Sequence, residues 1–298
     1  MTTDTQQITR TLVASIVGRP NVGKSALANA IAGEKVAIVT PKPQTTRRRL
    51  RAVTNRRGIQ YIFIDTPGFH QPRTKLGEYM VRTVRDSVVD VDVIVYMIEN
   101  DRDDPELFDV VRASRAPVVL VINKVDLLKD KTILLPIIAK YSEYEQIIPI
   151  SARTGEGVDA LLDALALYSR EEHALFPADM ISDQDDITVV GELVREKLLI
   201  CLDMEIPHGI AIEVTKFSER IDTGIIDVDI TIYCERDAHK RIIIGNKGNM
   251  IKKVGELSRR DIERFMGTKV FLQTWVKVKE NWRDSNTMIR NFGFAKGR

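Results

Sequence analysis

A chain of 298 residues, 44% apolar and 29% charged, has the length of about two globular domains and the composition to bury a core in each. Its two cysteines, Cys201 and Cys234, exclude a disulfide framework and lack zinc-ligand spacing, which points to a reducing, cytosolic setting; the longest apolar runs, such as 93–98, are far too short to span a bilayer. The net charge of +2 hides an asymmetry: residues 181–238 hold 5 basic and 14 acidic side chains and residues 239–298 hold 15 and 5, a basic block that suits a polyanionic partner such as nucleic acid.

The opening MTTDTQQITR has no apolar core of the kind a secretory leader carries, and residues 1–10 are expected to be a disordered extension. The apolar run 12–17 predicts a buried strand, and 26–32, closed by Gly33, predicts a helix. Between them residues 18–25, GRPNVGKS, match G-x-x-x-x-G-K-[ST], the phosphate-binding loop of nucleotide hydrolases. Gly18 and Gly23 let backbone N–H groups turn onto phosphate oxygens, and Asn21, Val22 and Ala26 belong to the same binding segment. Lys24 can set its ammonium on the terminal phosphates, and Ser25 can ligate Mg2+.

Residues 39–51, VTPKPQTTRRRLR, form a polar, basic connection that is expected to be mobile, with Thr45 and Thr46 inside it. Strands are predicted over 48–55 and 59–65, paired as an antiparallel hairpin through Asn55-Arg56-Arg57-Gly58, and over 92–98, 117–122 and 146–150. Helical stretches separate the later strands, so they should run parallel, giving an α/β fold with helices on both faces of the sheet and ligands at the carboxyl ends of the strands.

The motifs fall at those ends. Asp65-Thr66-Pro67-Gly68 follows YIFID: Asp65 is placed to hold Mg2+, and the Gly68 N–H can reach a γ-phosphate. Asn123-Lys124-Val125-Asp126 follows PVVLVI. A carboxylate at Asp126 accepts from guanine N1–H and the exocyclic amine, donors that adenine lacks, while the Lys124 stem can cover the base. Ser151-Ala152-Arg153 fits a backbone N–H to guanine O6. These motifs together imply GTP. His70, His173, His208 and His239 are scattered and form no metal spacing.

From 171 to 188 the composition turns acidic and loop-like, the expected linker between a domain at 11–170 and one at 189–280. A helix over 189–202 precedes strands near 210–217 and 225–235, then residues 241–244, then Gly245-Asn246-Lys247-Gly248, a basic helix over 249–266 and a strand over 269–279. GxxG ahead of a helix is the loop with which KH domains clamp the backbone of single-stranded nucleic acid; Lys247, Lys252 and Lys253 add charge. The tail 281–298 mixes Trp282, Phe292 and Phe294 with Arg283, Arg290 and Lys296, a set that can stack on bases or pack against the domain. An RNA-dependent ATPase is disfavoured by NKVD, and a lipid-directed GTPase by the GxxG loop.

GRPNVGKSALANAIAG, QTTR, DTPGFH, NKVD, VREKLL and IIIGNKGNMIKKVG, ending in WVKVK, together resemble the Era family of bacterial GTPases, over nearly the whole chain from Leu12 onward. The resemblance implies a Ras-like P-loop GTPase domain, a type II KH domain, and Thr46, rather than Thr45, completing the Mg2+ shell. It implies binding near the 3′ end of 16S ribosomal RNA and a part in maturing the small ribosomal subunit. It also implies a cytoplasmic monomer with peripheral contact to the inner membrane. Ras-like switches carry a water-orienting glutamine after DxxG; here Phe69 stands there. In related GTPases an asparagine at the place of Asn21 holds potassium beside the phosphates, which makes K+ a candidate further cofactor; a purely loop-stabilising Asn21 is the alternative.

Overall fold

The computed structural model describes residues 7–99, 104–202 and 209–294, and these form two compact units. One takes in Met1–Ala37, Thr46–Gln71 and Met80–Asp183; the other takes in Ile38–Thr45, Pro72–Tyr79 and Gln184–Arg298.

In the first unit the elements run β1 (Arg10–Gly18), α1 (Lys24–Ala32), β2 (Leu50–Arg56), β3 (Ile59–Asp65), α2 (Lys75–Ser87, entering this unit at Met80), β4 (Val93–Ile98), α3 (Pro105–Arg112), β5 (Val118–Ile122), α4 (Leu134–Lys140), β6 (Gln146–Pro149), α5 (Val158–Leu165) and β7 (Arg170–Glu171). The sheet order is β2-β3-β1-β4-β5-β6, with β2 and β3 antiparallel and the remaining neighbours parallel. Central strands are covered on both faces and therefore read as unbroken apolar runs; all six residues of β4 are buried. On one face Leu12, Ala14 and Ile16 pack with Leu27, Ile31, Leu161 and Leu165. On the other Ile94, Tyr96 and Leu120 pack with Val84, Leu107 and Val111.

Two expectations change in the light of the structure. Of the extension 1–10, residues 1–6 lie outside the described residues, but Thr9 and Arg10 donate to the Gly58 carbonyl at 3.0 and 3.3 Å, and Arg10 opens β1. Of the stretch 171–188, read as linker, the part up to Asp183 belongs to the first unit and is bonded to its sheet. Arg170 and Glu171 pair with Thr11 and Arg10. Gln60, fully buried, accepts from the N–H groups of Leu175 and Phe176 and donates to the Phe176 carbonyl. Val53 N donates to Ile181 O at 2.9 Å, and Ala52 bridges Ser182. An acidic, Pro-containing sequence looks like a tether because its partners lie far away in the chain, on the main chain of β1, the Gln60 side chain of β3 and the main chain of the edge strand β2, whose open donors and acceptors it satisfies.

The second unit runs α6 (Asp186–Cys201), β8 (Ala211–Glu219), β9 (Ile226–Cys234), α7 (Asp237–Ile244), α8 (Asn249–Met266), β10 (Val270–Val278) and α9 (Asn286–Asn291). β8 and β9 are antiparallel, β9 and β10 parallel, in the order β10-β9-β8. Val190, Val194 and Leu198 of α6 pack with Val228, Ile230 and Ile232 of β9 and with Ile243, Val254 and Ile262 of the next two helices. The tail continues this unit. Trp282 is fully buried and donates from Nε1 to the Gly209 carbonyl at 2.9 Å; Phe292 and Phe294 lie with ring centroids 5.3 and 6.1 Å from it and are themselves buried. Base stacking by these three rings is thereby excluded, and packing accounts for them; Lys296 lies outside the described residues.

Candidate functional site

The phosphate-binding segment lies where β1 ends and α1 begins, as the strand–loop–helix pattern requires. Gly23 has φ 104°, and a Cβ there would stand 2.1 Å from Asn123 Nδ2, so only glycine fits. A Cβ on Gly18 would meet the Met97 carbonyl oxygen at 2.6 Å. Asn21 is exposed at the rim with φ 63°, Val22 is buried, and Ala26 sits half-buried in the first turn of α1. Lys24 is 5% exposed and donates from Nζ to the carbonyls of Gly18 and Arg19 at 3.0 and 2.9 Å, at the mouth of the loop. Burial pushes its ammonium down to about 8, against the attraction of Asp65.

Three oxygens converge beside it. Ser25 Oγ donates to Asp65 Oδ2 at 2.6 Å and lies 2.7 Å from Thr46 Oγ1. Asp65 is fully buried, and its Oδ1 has no hydrogen-bond partner. Burial pushes the carboxyl up to about 6, opposed by the Ser25 hydrogen bond and the Lys24 charge. A buried carboxylate oxygen with nothing to accept from, beside two hydroxyls, is the hard-oxygen set that Mg2+ takes, so the residues fit that ion. The Thr45 hydroxyl is spent elsewhere, on Thr40 Oγ1 at 2.6 Å and the Lys42 carbonyl at 2.7 Å, which separates the two threonines.

Gly68 abuts the phosphate loop: a Cβ there would stand 2.6 Å from Pro20 Cα. Phe69 N donates to the Gly18 carbonyl at 3.2 Å, and its ring is 1% exposed in the apolar layer with Val17 and Tyr96. Position 69 is thus a core anchor with no side chain for water.

At the base end, Asn123 is a tie. Its Nδ2 donates to the Val22 carbonyl at 2.7 Å and its Oδ1 accepts from Ala152 N at 2.9 Å. Asp126 accepts from Ser151 Oγ at 2.6 Å and from Arg153 Nη2 at 2.5 Å; the Ser151 bond first, and Arg153 with it, holds the carboxyl below its usual range. It stays an ionised acceptor at neutral pH, as guanine reading requires. Arg153 is 73% exposed in its side chain, so water screens its pairing with Asp126. Lys124, at φ 67°, pairs with Glu99, a partner that no motif signalled.

In the second unit α7 ends at Gly245 (φ 75°), where a Cβ would meet Met250 Cβ at 2.6 Å. Lys247 (φ 49°) and Gly248 (φ 81°) then turn the chain into α8. Asn246, Lys247, Lys252 and Lys253 are exposed around this turn, so basic side chains and a helix N-terminus face solvent together.

These features define the class: a guanine-nucleotide P-loop GTPase carrying a KH module. Family models for "50S ribosome-binding GTPase" and "KH domain" match residues 13–124 and 205–283. The chain is 46% identical to GTPase Era of Ruminiclostridium cellulolyticum over 94% of its own length and 96% of that protein, and 45% identical to GTPase Era of Clostridioides difficile over 94% and 97%. The crystal structure of Era in complex with MgGDPNP and nucleotides 1506–1542 of 16S ribosomal RNA superposes with a TM-score of 0.93 at 36% identity, covering 97% of this chain and all of that one. An Aquifex aeolicus Era variant bound to GDP·AlF4− superposes at 0.92, again at 36% identity, over 96% and 100%. The chain belongs to the Era family of GTPases, and it is a GTP-hydrolysing enzyme. Among the described residues no helix is long and apolar enough to cross a membrane.

Proposed function

We propose that this GTPase is a nucleotide-timed RNA clamp. Its KH unit grips the 3′ end of 16S ribosomal RNA through residues 245–248 with Lys252 and Lys253, and GTP turnover times that grip during cytoplasmic maturation of the small ribosomal subunit. The observation that carries the reading is the 97% coverage by an Era structure holding both a GTP analogue and that RNA, joined to this chain's own glycine turn and exposed lysines. In hydrolysis Lys24 and the loop N–H groups receive charge on the β- and γ-phosphates as water attacks the γ-phosphorus and the bridging bond to GDP breaks. Ser25, Thr46 and Asp65 would hold Mg2+, which supplies further charge neutralisation there. The N–H of Gly68, a residue with no room for a Cβ beside Pro20, follows the γ-phosphate, and Asp126 fixes the base.

With Phe69 in the core, assistance to the water comes from elsewhere, and Asn21 at the rim offers an oxygen to K+. Turnover in KCl should exceed that in NaCl; equal rates would dismiss the potassium role. Peripheral contact with the inner membrane and a monomeric state are supported by the resemblance alone. The deciding experiment is anisotropy of a labelled 16S 3′-end oligonucleotide with GDP or a non-hydrolysable GTP analogue bound. A difference in affinity is expected, and equal affinities would defeat the switch. Anionic vesicles in place of RNA test the lipid alternative.

A further inference from the structure

Helix α6 carries three successive ionisable residues with little access to water: Arg195 is 2% exposed, Glu196 3%, and the Lys197 side chain 13%. Their charges are answered within the second unit. Arg195 Nε donates to Glu192 Oε1 at 2.9 Å; its Nη2 donates to Glu192 Oε2 and to the main-chain carbonyl of Thr45. Glu196 Oε1 accepts the N–H of Val39 at 3.3 Å. Lys197 Nζ donates to Glu196 Oε2 at 2.9 Å and pairs with Asp261 of α8. Burial lowers the Lys197 pKa, but the Asp261 and Glu196 hydrogen bonds outweigh it and hold the ammonium above its ordinary value. The apolar face of the same helix, with Val190, Val194 and Leu198, supplies the core. A buried ionic row beside an adequate core is a poor stabiliser and a good setter of register.

The row has two ends. One grips Ile38–Thr45, a segment that belongs to the second unit although the next residue, Thr46, belongs to the first. The Thr45 carbonyl is half of the Thr45–Thr46 peptide plane, so a charged donor that fixes this oxygen fixes the plane from which Thr46 extends its hydroxyl. The other end is Asp261 on α8, the helix that begins at the GxxG turn. We propose that Arg195 is a positioning residue for Thr46, and that the row Glu196–Lys197–Asp261 is the line through which RNA on α8 and nucleotide at Thr46 influence each other. This rests on reading Thr46 as the metal-side threonine of a switch.

The test measures affinities of the full-length protein for GDP and a non-hydrolysable GTP analogue, with Mg2+, with and without the 16S 3′-end oligonucleotide, in wild type, Arg195→Ala, Arg195→Lys and Asp261→Asn. Wild type is expected to show an RNA-dependent change in the ratio of analogue to GDP affinity. Arg195→Ala should lower that ratio about tenfold even without RNA, leave GDP affinity near wild type, and be partly rescued by Arg195→Lys. Asp261→Asn should leave both RNA-free affinities unchanged and cut the RNA-dependent change about threefold or more. If wild type shows the change and Asp261→Asn keeps it in full, the proposal is overturned whether or not Arg195→Ala folds. If wild type shows no change, the switch reading itself fails, a result distinct from the first.

Discussion

Asp65 and Lys24 set the pH behaviour of the nucleotide site. Asp65 titrates near 6 in the fold against 3.8 unfolded, so it binds its proton more tightly when folded; its contribution favours the fold below about pH 4 and is lost as pH rises through 6. Lys24 falls from 10.5 to about 8, so the unfolded chain binds the extra proton and stability rises as pH climbs from 8 towards 10.5. Between 6 and 8 both groups are charged at a cost that phosphate and a divalent cation relieve. Calorimetric titration with GDP and Mg2+ is therefore expected to show an affinity plateau between these values and a fall of about tenfold per pH unit below 6. At the base, Asp126→Asn removes the acceptor pair; competition between guanine and other nucleotides should show preference falling by roughly a hundredfold or more while RNA affinity stays put. Asp126 was legible in the sequence because its role follows from residue type after a strand. The tie made by Asn123 was not, since its partners Val22 and Ala152 are 101 and 29 positions away and only the folded sheet brings them together.

At the scale of elements, most of the order of strands and helices in both units follows from apolar runs and glycine punctuation, with ends that differ by up to three residues, as at the start of α6; β7, α7 and α9 are too short or too polar to signal themselves. The tail is where pattern reading divides: aromatic and basic residues in alternation suit RNA and suit a core equally. Burial decides it, and Trp282→Ala should lower the unfolding free energy by about 3–5 kcal/mol, read by denaturant titration, a loss far larger than an exposed stacking residue would give. The GxxG turn makes the opposite prediction. Lys247 is exposed, so Lys247→Ala should leave stability alone, weaken RNA binding, and reduce the slope of log affinity against log salt by about 0.7, the share of a single neutralised phosphate on one strand.

For the whole molecule, the charge asymmetry of the sequence resolves into acidic side chains held in local pairs and basic side chains that stay exposed. Several side chains of the acidic stretch are paired locally: Glu192 and Glu196 by their neighbours on α6, Asp227 by Lys216 and Arg220, Glu235 by Arg283. The lysines at 247, 252 and 253 are exposed, and so are Arg259, Arg260 and Arg264 further along α8 and Lys277 on β10, so the basic surface extends from the turn along the helix and onto the sheet. Raising ionic strength should therefore weaken RNA binding while GTP hydrolysis without RNA holds, since the phosphate site relies on buried groups that salt screens little; parallel titrations of the two with NaCl at a fixed KCl concentration check this.

The segment 175–183 carries a consequence for handling the protein. By closing the outer edge of β2 it denies that strand to any second chain, so it acts as a guard on solubility. A first unit cut off after residue 172 would keep its phosphate loop and base-reading carboxylate yet expose a row of open main-chain groups, and it would be expected to associate with itself at concentrations where the whole chain stays dispersed.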